Sequence, residues 1–175
     1  MASSTEYPKP KYITGGCLCE SLRYRIDFPE DHDFEVNSGS CQCTQDRKNT
    51  GSFFFVWQRV ARSAFRWTSP STDTLGRYSA TPGVERGFCA KCGSFLYWRR
   101  VDPDVGAISV TIGSVDPLFL FGQGADGVEV PKGGFGIALA NGAGGHEWCS
   151  NEVPGITDNI GFLHERGKRW PGDAE

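Results

Sequence analysis

The sequence lacks long apolar runs and sustained helical periodicity. No segment approaches the ~18 consecutive apolar residues of a membrane-spanning helix. Residues 1–11 lack the apolar centre of a signal peptide, and no apolar repeat of 3.6 residues persists before residue 155. These absences argue against a helical bundle and a membrane protein, and we expect a cytoplasmic protein without a membrane partner.

The sequence also lacks an excess of positive charge. Its formal net charge is −3, so no general attraction to nucleic acid is expected. Short basic runs occur at Arg47-Lys48, Arg99-Arg100 and 166–169, and such runs usually form solvated faces. We therefore predict a small-molecule partner and no nucleic-acid partner.

Short strand patterns and turn residues dominate what is present. The chain contains 23 glycines and 10 prolines, which favour many turns. Apolar or aromatic segments bounded by Gly, Pro and Asp predict strands at 22–28, 53–60, 76–81, 85–89, 95–100 and 107–114. Short strands at close spacing predict a mainly β fold, either a sandwich or a folded sheet.

The length of 175 residues suits one domain with its own core. We predict a flexible arm over 1–11 and a single domain over 12–175, with its core at about 12–120 and an extension over 121–175. The glycine-rich segment 122–145 is either an ordered loop, a flap or a flexible linker. Residues 46–51 predict one helical turn that ends at Gly51, and Asp158 predicts the start of a short helix that reaches about Arg166.

Six of the seven cysteines form three short pairs. The pairs are Cys17 with Cys19, Cys41 with Cys43, and Cys89 with Cys92. In a reducing compartment such pairs are more often metal ligands than disulfides. Zn²⁺ prefers four soft ligands in a tetrahedron, and two close pairs supply them. Cys17, Cys19, Cys89 and Cys92 together therefore predict one closed zinc site.

The spacing within each pair supports this interpretation. Cys89 and Cys92 have a two-residue spacer, and Gly93 after them suits a tight turn around a metal. A thioredoxin-like redox role is disfavoured because no βαβ pattern surrounds the pair. In the pair Cys17 and Cys19, alternate residues of an extended strand would point their sulfurs to one side.

The stretches GGCLCESLRY, SCQCTQDRKNTGS and RGFCAKCGSFLYW resemble the family of glutathione-dependent formaldehyde-activating enzymes, whose domain also occurs in centromere protein V. The resemblance covers about residues 12–120, and two downstream stretches, GVEVPKGGFG and HEWCSNEVPGITDN, resemble the fungal branch. It implies an Mss4-like, zinc-containing folded β-sheet. It also implies a reaction in which glutathione adds to formaldehyde to give S-hydroxymethylglutathione, in the carbon–sulfur lyase class.

The resemblance also assigns metal ligands. A structural zinc falls on Cys17, Cys19, Cys89 and Cys92, and a second, catalytic zinc falls on Cys41, Cys43 and Asp46. The usual motif at the second site is C-H-C-x-x-C-R followed by x-x-x-G. Arg47 and Gly51 match it, whereas Gln42 replaces the histidine and Asp46 replaces the third cysteine.

Asp46 leaves two alternatives open. Aspartate binds zinc, so two cysteines and Asp46 form a site with one open position, whose metal is more Lewis acidic and more weakly held. In the other alternative the second metal is absent and Asp46 forms a salt bridge with a neighbour such as Arg47. The sequence favours an absent or weakly held second zinc.

Further candidates surround these motifs. Trp57, Tyr97 and Trp98 could line a substrate cleft, although aromatic residues in strands are more often core. Arg47 and Lys48 are candidates to receive a carboxylate of glutathione at the start of a short helix, or else form a surface pair.

Three residues remain outside the motifs. His146 and His164 are candidate proton carriers, although histidines in a tail are usually bystanders. Cys149 stands alone, and we expect a packed thiol rather than a ligand because nothing nearby depresses its pKa.

The leading hypothesis is a zinc-dependent, carbon–sulfur lyase-like enzyme that acts on a glutathione or thiol adduct of a small aldehyde. One alternative is an enzyme of small-molecule biosynthesis with another substrate in the same pocket. The other is a non-catalytic, zinc-folded interaction module with a degenerate second site. Zinc content separates the module from both enzymes.

Overall fold

The computed structural model describes residues 7–102 and 104–172, and these form mainly short β-strands in two sheets. The mainly β prediction is confirmed. The smaller sheet consists of β1 (Tyr12–Gly16), β2 (Arg23–Asp27) and β5 (Phe65–Trp67). The larger sheet consists of β3 (Ser38–Cys41), β4 (Phe55–Ala61), β6 (Leu75–Tyr78), β7 (Val84–Cys89), β8 (Phe95–Arg100), β9 (Ala107–Thr111) and β10 (Gly145–Glu147).

The larger sheet has the strand order β10-β3-β4-β9-β8-β7-β6. Its neighbouring strands are antiparallel except β10, which runs parallel to β3. The described helices are short and comprise α1 (Thr44–Thr50), α2 (Pro117–Phe121), α3 (Gly136–Leu139) and several 3₁₀ turns. None of the helices in these residues is long and apolar enough to cross a bilayer.

The two faces of the larger sheet have different environments. Successive side chains of a strand point to opposite faces, so one face packs against the smaller sheet and the other remains available for a site. Buried apolar residues of both sheets form the main core, including Ile13, Tyr24, Ile26, Val60, Leu96, Ile108 and Val110.

The glycine-rich segment 122–145 packs against the core. Its residues Val130, Phe135, Ala138 and Leu139 are buried in the main cluster. The segment is therefore ordered, and the flexible-linker alternative is wrong. Sequence patterning did not decide between the alternatives because the apolar residues lie between turns rather than at a helix or strand period.

The predicted helix from Asp158 to Arg166 is wrong. Two separate 3₁₀ turns, Thr157–Asn159 and Gly161–Leu163, occupy this segment, and Asp158 lies inside the first turn rather than before it. Ile160 between them has an extended backbone, and glycine at 161 is a poor helix former.

The predicted arm falls partly on residues 1–6, which lie outside the described residues. The remainder packs against the domain, since Pro10 is buried and the Tyr7 hydroxyl donates to the Glu35 carboxylate at 3.0 Å. The division into a core at about 12–120 and an extension over 121–175 stays a prediction, although both parts contribute to one core.

Candidate functional site

The first cysteine cluster brings together Cys17, Cys19, Cys89 and Cys92. All four sulfurs lie within 4.8 Å of one another. The Sγ atoms of Cys17 and Cys19 are 3.6 Å apart, and those of Cys19 and Cys89 are 3.7 Å apart. A tetrahedral zinc with bonds of about 2.3 Å holds its sulfurs about 3.8 Å apart. The donor set therefore fits zinc in identity, number and spacing.

A tight turn positions Cys89 and Cys92. The Gly93 N–H donates to the Cys89 carbonyl at 2.8 Å, and Gly93 has a φ of 79°. This left-handed conformation favours glycine, so the turn predicted around Gly93 is confirmed. Cys89 ends β7, and the turn leads into β8.

The pair Cys17 and Cys19 lies in a turn after β1 rather than on an extended strand, so the expected strand geometry is wrong at this pair. The Leu22 N–H donates to the Cys17 Sγ at 3.3 Å, and the Glu20 N–H donates to the Cys17 carbonyl at 3.0 Å. Glu20 itself has a φ of 60°. The turn closes around the sulfur and aims both thiols toward Cys89.

The thiols of this cluster differ in acidity. Burial raises the pKa of Cys17 to about 11, whereas a hydrogen bond with the Ser94 hydroxyl lowers the pKa of Cys92 to about 5. A hydrogen bond with Ser21 lowers the pKa of Cys19. Metal binding requires thiolates, and two of the four thiols are already biased toward that form.

The second cluster consists of Cys41, Cys43 and Asp46. Their ligand atoms lie within 4.8 Å of one another, and all three residues are buried. Cys41 ends β3, and Cys43 caps the N-terminus of α1, where its sulfur accepts the Asp46 N–H at 3.3 Å. Gly51 ends this helix with a φ of 67°, so the predicted helical turn is confirmed.

Asp46 forms a buried ion pair with Arg86. Its Oδ1 accepts from Nη2 of Arg86 at 3.1 Å and from Nε at 3.4 Å, and the two side chains are 7% and 5% exposed. The expected partner Arg47 instead donates from Nη1 to the Asn151 carbonyl at 2.8 Å. Asp46 therefore forms a salt bridge as that alternative expected, but its partner is Arg86 rather than Arg47. Arg86 lies on β7, 40 residues along the chain.

The second cluster can accommodate zinc together with this ion pair. Two thiolates, the Asp46 carboxylate, the Arg86 guanidinium and Zn²⁺ sum to zero charge, and carboxylates that bind metals are commonly hydrogen-bonded by an outer partner. A hydrogen bond from Cys41 lowers the pKa of Cys43, and the same bond raises that of Cys41. The residues fit a zinc of mixed sulfur and oxygen ligation.

Gln42 occupies the position at which the family motif has histidine. Its side chain is fully buried, and neither polar atom of its amide has a hydrogen-bond partner among residues 7–102 and 104–172. Its backbone N–H donates to the Glu147 carbonyl at 3.0 Å. Gln42 does not line the cavity described next.

A cavity of about 750 Å³ opens beside the second cluster, on the face of the larger sheet that the core does not use. Cys41, Cys43 and Asp46 lie in its wall. Trp57 and Trp98 line it, as the cleft hypothesis expected. Tyr97 instead faces the opposite side of the sheet, where its hydroxyl donates to Glu85 at 2.7 Å.

Alternation along the strands brings further residues to this cavity. Arg59 follows Trp57 by two positions on β4, and Arg100 follows Trp98 by two positions on β8. Arg86 and Glu147 also line it. The sequence analysis missed these four residues, although the period of two residues on each strand was a signal that could have found the two arginines beside the tryptophans.

Arg47 and Lys48 do not line the cavity. They border a separate, shallow recess on the outside of α1, together with Phe53 and Val153. Their assignment to a carboxylate of glutathione stays a prediction.

The candidate proton carriers also lie away from the cavity. His146 is buried, with Nδ1 2.7 Å from the Ser40 hydroxyl and Nε2 2.9 Å from the Arg166 carbonyl oxygen. His164 lies 3.0 Å from the Glu152 carboxylate.

Cys149 behaves as the sequence analysis expected. It is buried, and burial raises the pKa of its thiol. Among residues 7–102 and 104–172 it belongs to neither metal-ligand cluster. It is therefore a packed thiol.

These features define a β-sheet domain with one closed cysteine site and a second, mixed site that opens on a cavity. Residues 12–125 match the family described as glutathione-dependent formaldehyde-activating enzyme. The match spans more than half of the chain, so the chain belongs to this family of enzymes, and the resemblance seen in its motifs is confirmed.

A crystal structure of a Rhodobacter sphaeroides protein is also similar, with a TM-score of 0.48 and 16% identity. The similarity covers 60% of this chain and 89% of that chain. A search of curated proteins finds no match.

Proposed function

We propose that this protein is a zinc-dependent enzyme that forms or breaks the carbon–sulfur bond between a thiol and a carbonyl compound. The observation that carries the proposal is the placement of Cys41, Cys43 and Asp46, which group three ligand atoms within 4.8 Å in the wall of a large cavity. Family membership supports glutathione as the thiol and a small aldehyde as its partner.

The two clusters have separate roles in this proposal. Cys17, Cys19, Cys89 and Cys92 hold a structural zinc between the loop after β1 and the turn after β7. The second cluster holds the catalytic zinc more weakly, because Asp46 offers a hard oxygen and shares its charge with Arg86. Zinc at this position would polarise a carbonyl oxygen and stabilise a thiolate.

Residues of the cavity orient the reactants and transfer the proton. In the forward direction sulfur bonds to the carbonyl carbon, the π electron pair moves to oxygen, and the thiol proton is transferred to that oxygen. Glu147 lines the cavity, and we assign its carboxylate to this proton transfer. Arg86 holds the Asp46 carboxylate in place.

Arg47 and Lys48 remain candidates for binding one carboxylate of glutathione outside the cavity. Lys48 is exposed and Arg47 is half-buried beside the recess on α1. If they bind the peptide, Lys48→Ala should raise KM for glutathione and leave kcat unchanged, because the contact is the same in the ground and transition states.

A second candidate function is a zinc-folded module without catalysis. The observation that favours it is the ion pair between Asp46 and Arg86, which balances its own charge without a metal. In this case the first cluster alone would hold zinc.

Zinc analysis of the purified protein tests the proposal. We expect two zinc ions per chain in protein prepared without chelator, and one after mild chelation. Cys43→Ser should hold one zinc and lose the consumption of formaldehyde in the presence of glutathione or another thiol. One zinc in the untreated wild type would support the module.

A further inference from the structure

The middle strand of the cavity wall carries small side chains. β9 lies between β4 and β8 in the sheet, and its residues Ala107 and Ser109 line the cavity. The flanking strands carry tryptophans on the same face, Trp57 on β4 and Trp98 on β8. These small residues of β9 form the floor of a slot beside Trp98.

The strand register places this slot over Ser109. Ser109 is paired with Arg59 on one side and with Trp98 on the other. β4 and β8 are two strand spacings apart, which is about 9.6 Å. The Trp98 indole beside the small Ser109 side chain therefore offers a flat aromatic surface on which a planar ring can stack.

Positive charge surrounds the slot. The Arg59 guanidinium lies over the Trp57 ring, 5.0 Å from its centroid, and Arg59 lines the cavity. Arg100 lines the cavity from β8 and is exposed. Asp46 balances the charge of Arg86. Among the other described lining residues, Arg59 and Arg100 carry positive charge, and Glu147 is the one acidic residue. This excess of positive charge in the cavity wall favours an anionic ligand.

We propose that the carbonyl substrate of this enzyme is a small planar aromatic or conjugated aldehyde that also carries an acidic group. Its ring lies over Ser109 against Trp98, and its acidic group pairs with Arg59 or Arg100. Its reactive carbon then points along the cavity toward Cys41 and Asp46. The orientation of the reactive group rests on the proposed function, whereas the binding of a flat anion stands without it.

Isothermal titration calorimetry with the zinc-loaded protein tests the slot directly. The probe is 2-naphthoate, which is flat and anionic. Two comparison compounds each lack one property: 2-naphthalenemethanol is flat and neutral, and cyclohexanecarboxylate is anionic and not flat. We expect naphthoate to bind at least about tenfold more tightly than either compound, because charge-assisted hydrogen bonds and ring stacking both contribute. Equal binding of all three, or no saturable naphthoate binding, would overturn the proposal.

Matched variants assign the binding to this place in the cavity. Ser109→Leu should fill the floor and abolish naphthoate binding, whereas Ser63→Leu, at an exposed position, should not. Arg59→Gln and Arg100→Gln together should weaken binding about tenfold or more, whereas the exposed Arg166→Gln should leave it unchanged. If Ser109→Leu fails to fold, the double variant of Arg59 and Arg100 tests whether naphthoate binds in the slot. Unchanged binding in that pair would contradict the slot.

The two proposals fail in different ways. If naphthoate binding depends on Arg59 and Arg100 but the protein has no carbon–sulfur activity on any aldehyde, the slot proposal stands and the proposed reaction is wrong. If the protein turns over formaldehyde with glutathione and naphthoate does not inhibit this turnover, the proposed reaction stands and the slot proposal is wrong.

Discussion

The two metal-ligand clusters begin with the same Cys-x-Cys spacing and reach different geometries. Cys17 and Cys19 lie in a closed turn and meet two further sulfurs from another hairpin. Cys41 and Cys43 extend from a strand into a helix cap and meet a carboxylate that is already bound to an arginine. Spacing alone therefore does not separate a closed cluster of cysteines from a mixed cluster that faces a cavity.

The difference lies in how each cluster balances its charge. Four thiolates without a metal would repel one another, so we expect the first cluster to depend on a bound ion. The second cluster has Arg86 as a permanent cation beside Asp46, so it can persist with or without zinc. We therefore expect disruption of the first cluster to affect folding and disruption of the second to affect function.

The largest effect should follow Cys89→Ser in the first cluster. Structural zinc contributes about 10–16 kcal/mol in small metal-built domains, which is comparable to the whole stability of a typical domain. We expect loss of soluble protein, measured as yield after expression. Cys149→Ala is the matched control and should retain solubility and wild-type zinc. A soluble Cys89→Ser variant with an unchanged melting temperature would contradict the structural role.

Arg86→Met should distinguish a second cluster that holds zinc from one that does not. Without zinc the variant leaves the buried Asp46 carboxylate unpaired, and we expect a loss of about 3–5 kcal/mol in the free energy of unfolding. Zinc should reduce this loss because it supplies the missing positive charge. Urea unfolding with and without mild chelation measures the difference.

Arg77→Met is the control for this experiment, because Arg77 lies on the neighbouring strand β6 with its side chain 52% exposed. It should change the stability by less than about 1 kcal/mol. If Arg86→Met loses the same stability in both conditions, the second cluster does not bind zinc near Asp46.

Asp46→Cys should make the second cluster resemble the first. Thiolate is a softer donor than carboxylate, so the second zinc should be retained about tenfold or more against a competing chelator. Asp46→Asn should lose this zinc and keep the first. One zinc per chain in the wild type and in both variants would show that the pocket has been remodelled and that the reaction of the family does not apply.

Acid should weaken the region of the second cluster, because β3 is joined to β10 through His146. Burial lowers the pKa of His146, so below about pH 6.5 the unfolded chain binds more protons than the folded one. His146 should make the free energy of unfolding fall by about 1 kcal/mol per pH unit below this pH. This adds to the decline caused by the Cys92 thiol, whose pKa is lowered to about 5, as the pH falls below the unfolded value of that thiol.

His146→Asn should flatten this slope in urea titrations at pH 5 to 7. His32, whose pKa burial also lowers, accounts for the rest of the histidine contribution, and the double variant should keep only the part of the slope that the cysteine thiols contribute. A slope unchanged by His146→Asn would contradict the assignment.

The smallest effect should follow Gly51→Ala at the end of α1. Gly51 has a φ of 67°, and an added Cβ meets nothing within 4 Å, so the cost is backbone strain of about 1 kcal/mol. Gly83→Ala is matched in φ, at 76°, and in open space. Both should lose similar stability in thermal melts, but only Gly51→Ala should release the second zinc more readily. Equal zinc retention would show that α1 does not position Asp46.

The sequence allowed the mainly β fold and the grouping of the first cluster to be predicted, because strands and cysteine pairs leave local patterns, whereas the grouping of Cys41, Cys43 and Asp46 was implied by the resemblance to the family. The strand 95–100 and the turn at Gly93 follow from a few neighbouring residues. The partner of Asp46 could not be found this way, because Arg86 reaches it only through the pairing of distant strands. The packing of 122–145 could not be decided from the sequence for a different reason, because its buried residues have no regular period.

The parallel strand β10 has a consequence for synthesis on the ribosome. His146 of β10 pairs with Ser40 of β3, which is 106 residues earlier in the chain. Until β10 emerges, β3 exposes unpaired backbone groups on one side, and such an edge is a template for pairing with another chain. The wall that carries Cys41 is therefore completed late, and truncated or stalled chains should be prone to aggregation at this edge.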